Sequence, residues 1–227
     1  MMDFVLSPPL PRAVPVADST AYFAIARVFC IGRNYRWTPD EAAPRDMPGW
    51  FMKPASAVEL AGEPLPYPPG TAAFCPEVEL VVAIGHGGRD IATHAAFDHV
   101  WGYAAGLDMT RRDLQQHARR TGAPWEPSKA FDHSAPVTPI MPVSRCGHPR
   151  EGAIHLSVNG VERQRADLAG LLWPVPDLVA MLSRSVALQP GDLIFTGTPA
   201  GVAPVQRGDV IHAGVAGVGE LTLTVGG

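Results

Sequence analysis

Proline and glycine constrain this chain more than any other feature of its sequence. The 227 residues include 24 prolines and 23 glycines, whereas only 18% are charged. Proline lacks the backbone donor that a helix needs and clashes with the preceding turn, so this composition favours turns and short strands over long helices. Prolines at positions 8, 9, 11 and 15 predict an extended lead-in over residues 1–21. A chain of this length does not demand two domains, and we expect a single one at residues 22–227.

Charge, hydropathy and cysteine usage exclude several classes of protein. The net charge of −4 and the scattered lysines and arginines offer no basic surface for nucleic acid. No uninterrupted apolar run approaches the length of about 18 residues that a membrane-spanning helix requires. The three cysteines, at positions 30, 75 and 146, form no CxxC motif, which favours a reducing compartment. We therefore expect a cytoplasmic protein whose partners are small molecules, with no nucleic-acid or membrane partner.

The segment from Pro76 to Gly85 predicts a strand that carries two acids on one face. Alternation places Val78, Leu80, Val82 and Ile84 on one side of the strand, and Glu77 and Glu79 together on the other. Their Cα atoms are about 6.6 Å apart, so both carboxylates can approach one point. Buried together, the two anions repel each other unless a cation lies between them, which indicates a divalent metal. The alternative is a solvent-facing edge strand with two hydrated glutamates.

A third acid follows the next predicted strand, which covers residues 101–107. Asp108 lies at the junction between this strand and a helix, where a side chain is held rigidly yet faces a cleft. The run from Thr110 to Asp113 reads as a capping box, and Gly122 ends the helix that it opens. We accordingly assign Asp113 to local capping and Asp108 to the cluster of acids.

The second half of the chain is predicted to contain a hairpin and a glycine-rich loop. Asn159-Gly160, between two alternating runs, is the strongest hairpin signal in the sequence. Apolar residues at helical spacing predict a helix over residues 176–186. Residues 193–196 read as a buried strand, and the loop from Gly197 to Gly201 brings backbone amides and one hydroxyl close to whatever lies above it.

Several short motifs occur in the order seen in the fumarylacetoacetate hydrolase family. They are Cys30–Tyr35, Phe51–Pro54, Glu77–Leu80, Gly102–Tyr103 with Asp108–Gln115, Ser128–Asp132, and Pro190–Asp192 with Thr196–Pro199. The resemblance covers roughly residues 22–225 and is strongest to the short acylpyruvate hydrolases, fumarylpyruvate hydrolases in particular. It implies an α+β, mainly β fold: a mixed β-roll of the family's C-terminal-domain type with short flanking helices. It also implies a homodimer.

Carried onto this sequence, the resemblance implies a metal site, an active-site lysine and a group of substrate-binding residues. Glu77, Glu79 and Asp108 would hold Mg²⁺ or Mn²⁺, hard cations that prefer oxygen ligands. Cys75 allows a zinc site as an alternative, but we interpret it as a small core residue. The implied catalytic residues are Lys129, Gln115 and Glu41. The implied residues that bind a small anionic 2-oxo acid are Arg33, Tyr35, Lys53, Arg112 and Thr198.

The sequence departs from the family pattern at two positions. Family hydrolases carry a His-x-x-Glu pair on a lid, and the matching positions here are Thr38 and Glu41. A histidine often precedes the first metal-binding glutamate in the family, where this chain has Pro76. All eight histidines follow residue 85. Glu41 is therefore the remaining lid residue that can act as the base, although a carboxylate is less suited to this task at neutral pH than imidazole.

These residues leave three functions open. The first is a metal-dependent hydrolase that cleaves the C–C bond of a fumarylpyruvate-like 3-acylpyruvate to pyruvate and a carboxylic acid. The second is a tautomerase or decarboxylase of a 2-oxo acid such as oxaloacetate, which needs no lid histidine. The third is a catalytically silent relative that is retained for binding or assembly. We place the hydrolase first because the resemblance to fumarylpyruvate hydrolases runs along nearly the whole chain.

Overall fold

The computed structural model describes residues 4–7, 10–36, 46–62 and 64–226. These residues form sixteen strands, β1 to β16 in chain order: Ala13–Pro15, Tyr22–Ala24, Val28–Ile31, Trp50–Lys53, Val58–Leu60, Phe74–Cys75, Val78–Ile84, Val100–Leu107, Thr110–Arg111, Ala135–Val137, Met141–Pro142, Ala153–Val158, Val161–Asp167, Leu193–Phe195, Val210–Val215 and Gly219–Thr224. Four short α-helices, α1 to α4, are Arg112–Thr121, Glu126–Lys129, Val143–Cys146 and Val175–Ser185. Three 3₁₀-helices cover Ala55–Ala57, Thr93–His99 and Leu168–Gly170. The predicted mainly β fold with short helices is confirmed.

The largest sheet places β7 at its centre. Its strand order is β4-β3-β14-β7-β8-β10-β5, with β11 paired to β8. The sheet is mixed, because β14 runs parallel to β3, and β10 parallel to β5, while the other pairs are antiparallel. The predicted two-glutamate strand is therefore an interior strand, and the alternative of a solvent-facing edge is wrong.

Strand β7 is buried on both faces because its alternating side chains enter two different cores. Val78, Leu80, Val82 and Ile84 pack in the larger core, which also contains residues of the second sheet and of α4. The opposite face, including Val81, packs in a smaller core with residues of β3, β8 and β14. Any side chain that projects from this strand is therefore held in a dense environment with little freedom.

The second sheet contains four strands in the order β13-β12-β15-β16. Its first two strands form the predicted hairpin, in which Asn159 and Gly160 both have positive φ, 51° and 77°. Two consecutive left-handed residues are what a tight two-residue hairpin turn demands, so the Asn-Gly prediction is confirmed. Apart from Gln164, the residues of β13 are exposed or half-buried.

Helix α1 begins differently from the prediction. Arg111 occupies its N-cap position without a side-chain cap, so the capping box is wrong. The Asp113 carboxylate instead accepts hydrogen bonds from Thr71 Oγ1 and the Ala72 amide, and these contacts tie the helix to a distant loop. The helix ends as predicted at Gly122, which is left-handed with φ 71°. The sequence therefore predicted the position of the helix but not the contacts that hold its first turn.

The beginning of the chain is attached to the main body. Strand β1 pairs with β2, and Val16 forms a bridge with Ile140. The extended lead-in at residues 1–21 and the single domain at 22–227 stay predictions. All three cysteines are free. Within the described ranges, no helix is both long enough and apolar enough to cross a bilayer.

Candidate metal and substrate site

Adjacent strands bring the three predicted acids together. Glu77 immediately precedes β7, Glu79 is the second residue of β7, and Asp108 immediately follows its antiparallel neighbour β8. The Asp108 amide donates a 2.9 Å hydrogen bond to the Glu77 carbonyl, which fixes the two strand ends against each other. One carboxylate oxygen from each residue lies within 4.8 Å of the other two. All three residues are buried.

Two buried lysines contact this cluster. Lys129 Nζ donates hydrogen bonds to Glu77 Oε2 at 2.9 Å, to Asp108 Oδ2 at 2.6 Å, and to Thr110 Oγ1. Lys53 Nζ lies 2.9 Å from Asp108 Oδ1. The Lys53 ammonium also donates to the carbonyls of Met109 and Lys129.

Lys53 is fully buried beside Asp108. Its side chain is 0% exposed, and it does not line the cleft in front of the carboxylates. The structure therefore places it behind Asp108, where it fixes the carboxylate and the backbone of Lys129. The role of Lys53 in substrate binding stays a prediction.

The lysines determine the charge of this part of the site. Burial disfavours the charged form of Asp108, but the adjacent Lys129 and Lys53 outweigh it and lower the pKa of the Asp108 carboxyl. Burial likewise opposes the charge of Lys129, and the carboxylates of Asp108 and Glu77 outweigh it and raise the pKa of this ammonium. The two carboxylates thus favour the ammonium form of Lys129, which can stabilise an anion.

Glu79 has a different environment from the other two acids. Its Oε2 accepts a 2.6 Å hydrogen bond from the Gly197 amide, and among the described residues no cation forms an ion pair with it. Burial, followed by the negative charge of Asp108, raises the pKa of the Glu79 carboxyl well above its usual value. A buried carboxylate without a cation is costly unless another positive charge reaches it.

A glycine makes the contact to Glu79 possible. Gly197 has φ 103°, and a Cβ on it would lie 2.7 Å from the Cβ of Asn34. Only glycine combines this backbone angle with so close an approach. Asn34 is itself buried and donates to the carbonyls of Thr196 and Trp173, so it anchors the loop that follows β14. The sequence indicated that this loop approaches the site, but not that its amide would contact a metal-binding acid.

The donor set fits a hard divalent cation. The cluster comprises three carboxylates, and oxygen-only donors suit Mg²⁺ or Mn²⁺ rather than zinc. Cys75 is not part of it, and burial together with the charge of Glu77 raises the pKa of its thiol to about 12. The zinc alternative therefore has no support, and a cation beside Glu79 would compensate the carboxylate that the lysines leave unpaired.

The three carboxylates and Lys129 line a narrow cleft of about 30 Å³. Its other walls include Arg33, Phe51, Arg112, Gln115, Arg119, Trp125 and Thr198. A larger cavity of about 850 Å³ adjoins this cleft without containing the carboxylates, and the two share Gly32, Arg33, Phe51 and Trp125. The structure thus places Arg33, Arg112, Gln115 and Thr198 in the walls of the narrow cleft, and their roles in catalysis and substrate binding stay predictions.

Arg112 is held by Gln115 on the same helix, and Thr198 is held by Gln164 on the distant strand β13. Arg112 donates from one nitrogen to Glu77 Oε1 at 3.2 Å and to Gln115 Oε1 at 2.7 Å, and Gln115 lies one turn into α1. Thr198 Oγ1 accepts a 2.9 Å hydrogen bond from the buried Gln164 side chain. Tyr35 lies in the wall of the larger cavity, and its buried hydroxyl finds no hydrogen-bond partner in the described part of the chain.

Gln164 is a residue that the sequence did not single out. Its side chain also accepts from the Val78 amide at 3.1 Å and donates to the Pro199 carbonyl at 2.8 Å. It therefore joins the start of β7 to the loop that carries Thr198. The one available signal was a glutamine at an inward position of a strand that is otherwise polar and exposed, and such a signal does not reveal its partners.

The predicted lid positions fall between two described ranges of the chain. Thr38 and Glu41 lie outside the described residues. Among the residues that the structure describes, no histidine lines the narrow cleft. Pro76 is buried directly before Glu77. A base that activates water is therefore not supplied by imidazole from the described walls of this cleft.

Comparisons with known proteins find relatives that match most of the chain. The chain is 43% identical over 177 residues to a fumarylpyruvate hydrolase from Ralstonia sp, which covers 78% of this chain and 92% of the relative. It is 36% identical over 200 residues to a mitochondrial oxaloacetate tautomerase from Homo sapiens, covering 87% of this chain and 90% of the relative. A crystal structure of fumarylpyruvate hydrolase from Pseudomonas aeruginosa in complex with Mn²⁺ and pyruvate superposes with a TM-score of 0.95 at 47% identity, covering 99% of both chains.

The family assignment rests on nearly the whole length of the sequence. A model described as the fumarylacetoacetate (FAA) hydrolase C-terminal domain matches residues 27–226. The match spans the carboxylate cluster, both buried lysines and the loop after β14. The chain therefore belongs to the fumarylacetoacetate hydrolase family.

Proposed function

We propose that this protein is a Mg²⁺- or Mn²⁺-dependent hydrolase that cleaves a fumarylpyruvate-like 3-acylpyruvate to pyruvate and a carboxylic acid. The oxygen of water bonds to the distal carbonyl carbon C4, and the C3–C4 bond breaks. Its electron pair remains on C3 as the enolate of pyruvate, which then takes a proton at C3. One acylpyruvate and one water thus give one pyruvate and one carboxylic acid.

The observation that carries this proposal is the buried cluster of Glu77, Glu79 and Asp108 beside Lys129. Three carboxylates held at the end of a cleft form a site for a hard divalent cation, and among the described residues no cation forms an ion pair with Glu79. When bound, such a cation supplies Lewis-acid chemistry that polarises a carbonyl and acidifies water. The Mn²⁺ and pyruvate in the similar structure from Pseudomonas aeruginosa support the same combination of metal and 2-oxo acid.

The residues of the chain supply the remaining functions. Lys129 is a buried positive charge that stabilises the negative charge developing on the departing enolate. Arg112 and Gln115, which bind each other and face the same cleft, orient the carboxylate of the 2-oxo acid. Thr198, positioned by Gln164, donates or accepts at a substrate oxygen. Arg33 and Tyr35 bind the part of the substrate nearer to the larger cavity.

Hydrolysis requires a base that takes a proton from water. Among the described residues that line the cleft, no histidine is present to serve as that base. We assign the base to Glu41 on the lid, because it is the remaining acid of the His-x-x-Glu pattern. A carboxylate can perform this task at neutral pH where burial raises its pKa.

A second candidate function is favoured by the absence of histidine among the described cleft residues. Tautomerisation of oxaloacetate requires a bound 2-oxo acid, an acidified C–H bond and a proton carrier, but no attacking water. The human oxaloacetate tautomerase is among the similar proteins. An oxaloacetate-like decarboxylase would use the same enolate-stabilising groups.

The two functions are separated by a substrate panel. The purified protein, with excess Mg²⁺ or Mn²⁺, is given fumarylpyruvate, acetylpyruvate and oxaloacetate, while pyruvate release and enol absorbance are followed separately. The proposal predicts metal-dependent pyruvate release from the acylpyruvates. Enol absorbance changes with oxaloacetate and no pyruvate from any acylpyruvate would select the tautomerase, and no change with any substrate would indicate a silent relative.

We further propose a cytoplasmic homodimer. Free cysteines accord with a reducing compartment, and the exposed apolar side chains of Trp50 and Met52 on the end strand β4 give an assembly surface to bury. Sedimentation velocity at micromolar concentration is expected to give the mass of two chains, and a monomer would contradict the assignment.

A further inference from the structure

Three residues project from one face of α1 into the narrow cleft. Arg112, Gln115 and Arg119 are separated by three and four positions, so they lie on the same side of the helix and all line the cleft. Arg112 contacts Glu77, at the carboxylate end. Arg119 lies about 10 Å farther along the helix axis. The helix thus carries a cation at each end of the space that a substrate would occupy.

Arg119 is held by an aromatic ring rather than by an acid of the described ranges. Among the described residues it forms no ion pair or hydrogen bond, and its guanidinium stacks on Trp125, with 5.2 Å between Cζ and the ring centroid. Partial burial, followed by the positive charge of Arg112, lowers the pKa of Arg119, while Glu77 opposes this effect. A planar guanidinium held on an aromatic ring keeps its donor edge free for a carboxylate.

We infer that Arg119, held against Trp125, binds a carboxylate at the far end of the acyl group and so selects acylpyruvates that are dicarboxylic. This inference rests on the proposed function, because it places the 2-oxo acid end of the substrate at the metal-binding carboxylates. An extended seven-carbon diacid has about 7.5 Å between its end carbons, given C–C bonds of about 1.5 Å. That length matches the spacing of the two cations along α1, allowing for the reach of their side chains.

The alternative is a surface arginine that stacks on tryptophan and contributes only packing. Such a residue would affect the melting temperature but would not distinguish a charged substrate tail from a neutral tail of equal length. Arg120 provides a matched control, because it is the next residue of α1, is exposed and does not line the cleft.

Binding of two unreactive 2-oxo acids tests the inference independently of hydrolysis. The Mn²⁺-loaded full chain is titrated by calorimetry with 2-oxopimelate and with 2-oxoheptanoate, which have the same length and differ in the terminal carboxylate. We expect the wild type to bind 2-oxopimelate roughly 10- to 100-fold more tightly, the range of a charge-assisted hydrogen bond. Arg119→Gln should abolish this preference, Arg119→Lys should retain part of it, and Arg120→Gln should leave it unchanged.

Kinetics provide a second readout. Arg119→Gln should raise KM for fumarylpyruvate by a factor similar to the loss of binding. Its kcat and KM for acetylpyruvate should stay within about two-fold of the wild-type values. Equal binding of both 2-oxo acids by the wild type, or a preference that persists in a folded Arg119→Gln protein, would overturn the inference. If Arg119→Gln does not fold, Arg119→Lys replaces it in the test. An unchanged preference for 2-oxopimelate in Arg119→Lys, together with loss of that preference in Arg120→Gln, would also overturn the inference. Failure of every acylpyruvate to release pyruvate, with the binding preference intact, would instead refute hydrolysis alone.

Discussion

The two ends of the cleft are built in opposite ways. At the floor, Glu77, Glu79 and Asp108 are buried, and each is held by a lysine ammonium or a backbone amide. At the mouth, Arg33 and Arg119 are exposed, and Trp125 is half-buried. A site held by so many contacts tolerates little variation, whereas exposed side chains can change without disturbing the fold. Under the proposed function, the floor would supply the chemistry and the mouth would select the acyl group.

The largest effect is expected at the floor. Asp108→Asn preserves the shape of the side chain but removes a ligand charge and leaves Lys53 and Lys129 without their shared partner. We expect pyruvate release to fall by roughly 10³-fold or more. Loss of the buried ion pairs should also lower the free energy of unfolding, by about 3–5 kcal/mol.

Asp98→Asn is the matched control for this change, because Asp98 is an exposed acid outside the cleft. Steady-state kinetics and denaturant unfolding of both variants make the comparison. Near-normal turnover in a folded Asp108→Asn protein would mean that the floor is not the chemical end of the cleft.

Substitution of the predicted lid base should distinguish the two candidate reactions. General-base assistance contributes about 10²–10⁴-fold, so Glu41→Gln should reduce pyruvate release from an acylpyruvate by that factor. Oxaloacetate tautomerisation should change far less, because it needs no activated water. Thr38→His should raise the rate of hydrolysis if the lid closes as in related enzymes. Brisk hydrolysis that is indifferent to Glu41→Gln would show that the base lies elsewhere.

Bound metal should raise the melting temperature through the floor residues and independently of the mouth residues. Relief of the repulsion among the three carboxylates predicts that excess Mn²⁺ raises the melting temperature of the wild type. At a free concentration of 100 times Kd the stabilisation is about 2.7 kcal/mol. Arg119→Gln should show the same increase, and Asp108→Asn should show none. Differential scanning fluorimetry measures all three, and an unchanged wild type would count against the metal site.

The smallest effect is expected where the floor is joined to the Thr198 loop. Gln164→Leu leaves the Val78 amide and the Pro199 carbonyl without their partner. We expect the free energy of unfolding to fall by about 1–3 kcal/mol and KM to rise. The exposed Gln116→Leu on α1 is the control and should change stability by less than about 0.5 kcal/mol. Equal effects of the two substitutions would show that the Gln164 contacts contribute nothing.

The floor could be predicted from the sequence better than its supports. Glu77 and Glu79 share a strand and Asp108 ends its neighbour, so local pattern and one antiparallel pairing bring them together. The Asn159-Gly160 hairpin was predictable for the same reason, because its turn is encoded in two residues.

The supports depend on contacts between residues far apart in the sequence. The motif around Lys53 does not reveal that its ammonium lies against Asp108. Thr110 was read as a helix cap, but its hydroxyl binds Lys129, 19 residues away. Gln164 is 86 residues from Val78, and no local pattern reveals that pair.

Direct measurement of metal binding tests the central claim that Glu77, Glu79 and Asp108 hold one catalytic cation. Metal-free protein is titrated with Mn²⁺, and free ion is followed by its electron paramagnetic resonance signal. The account predicts one tightly bound Mn²⁺ per chain in the wild type and in Asp98→Asn, and none in Asp108→Asn. Absence of binding in the wild type, or undiminished binding in Asp108→Asn, would contradict it.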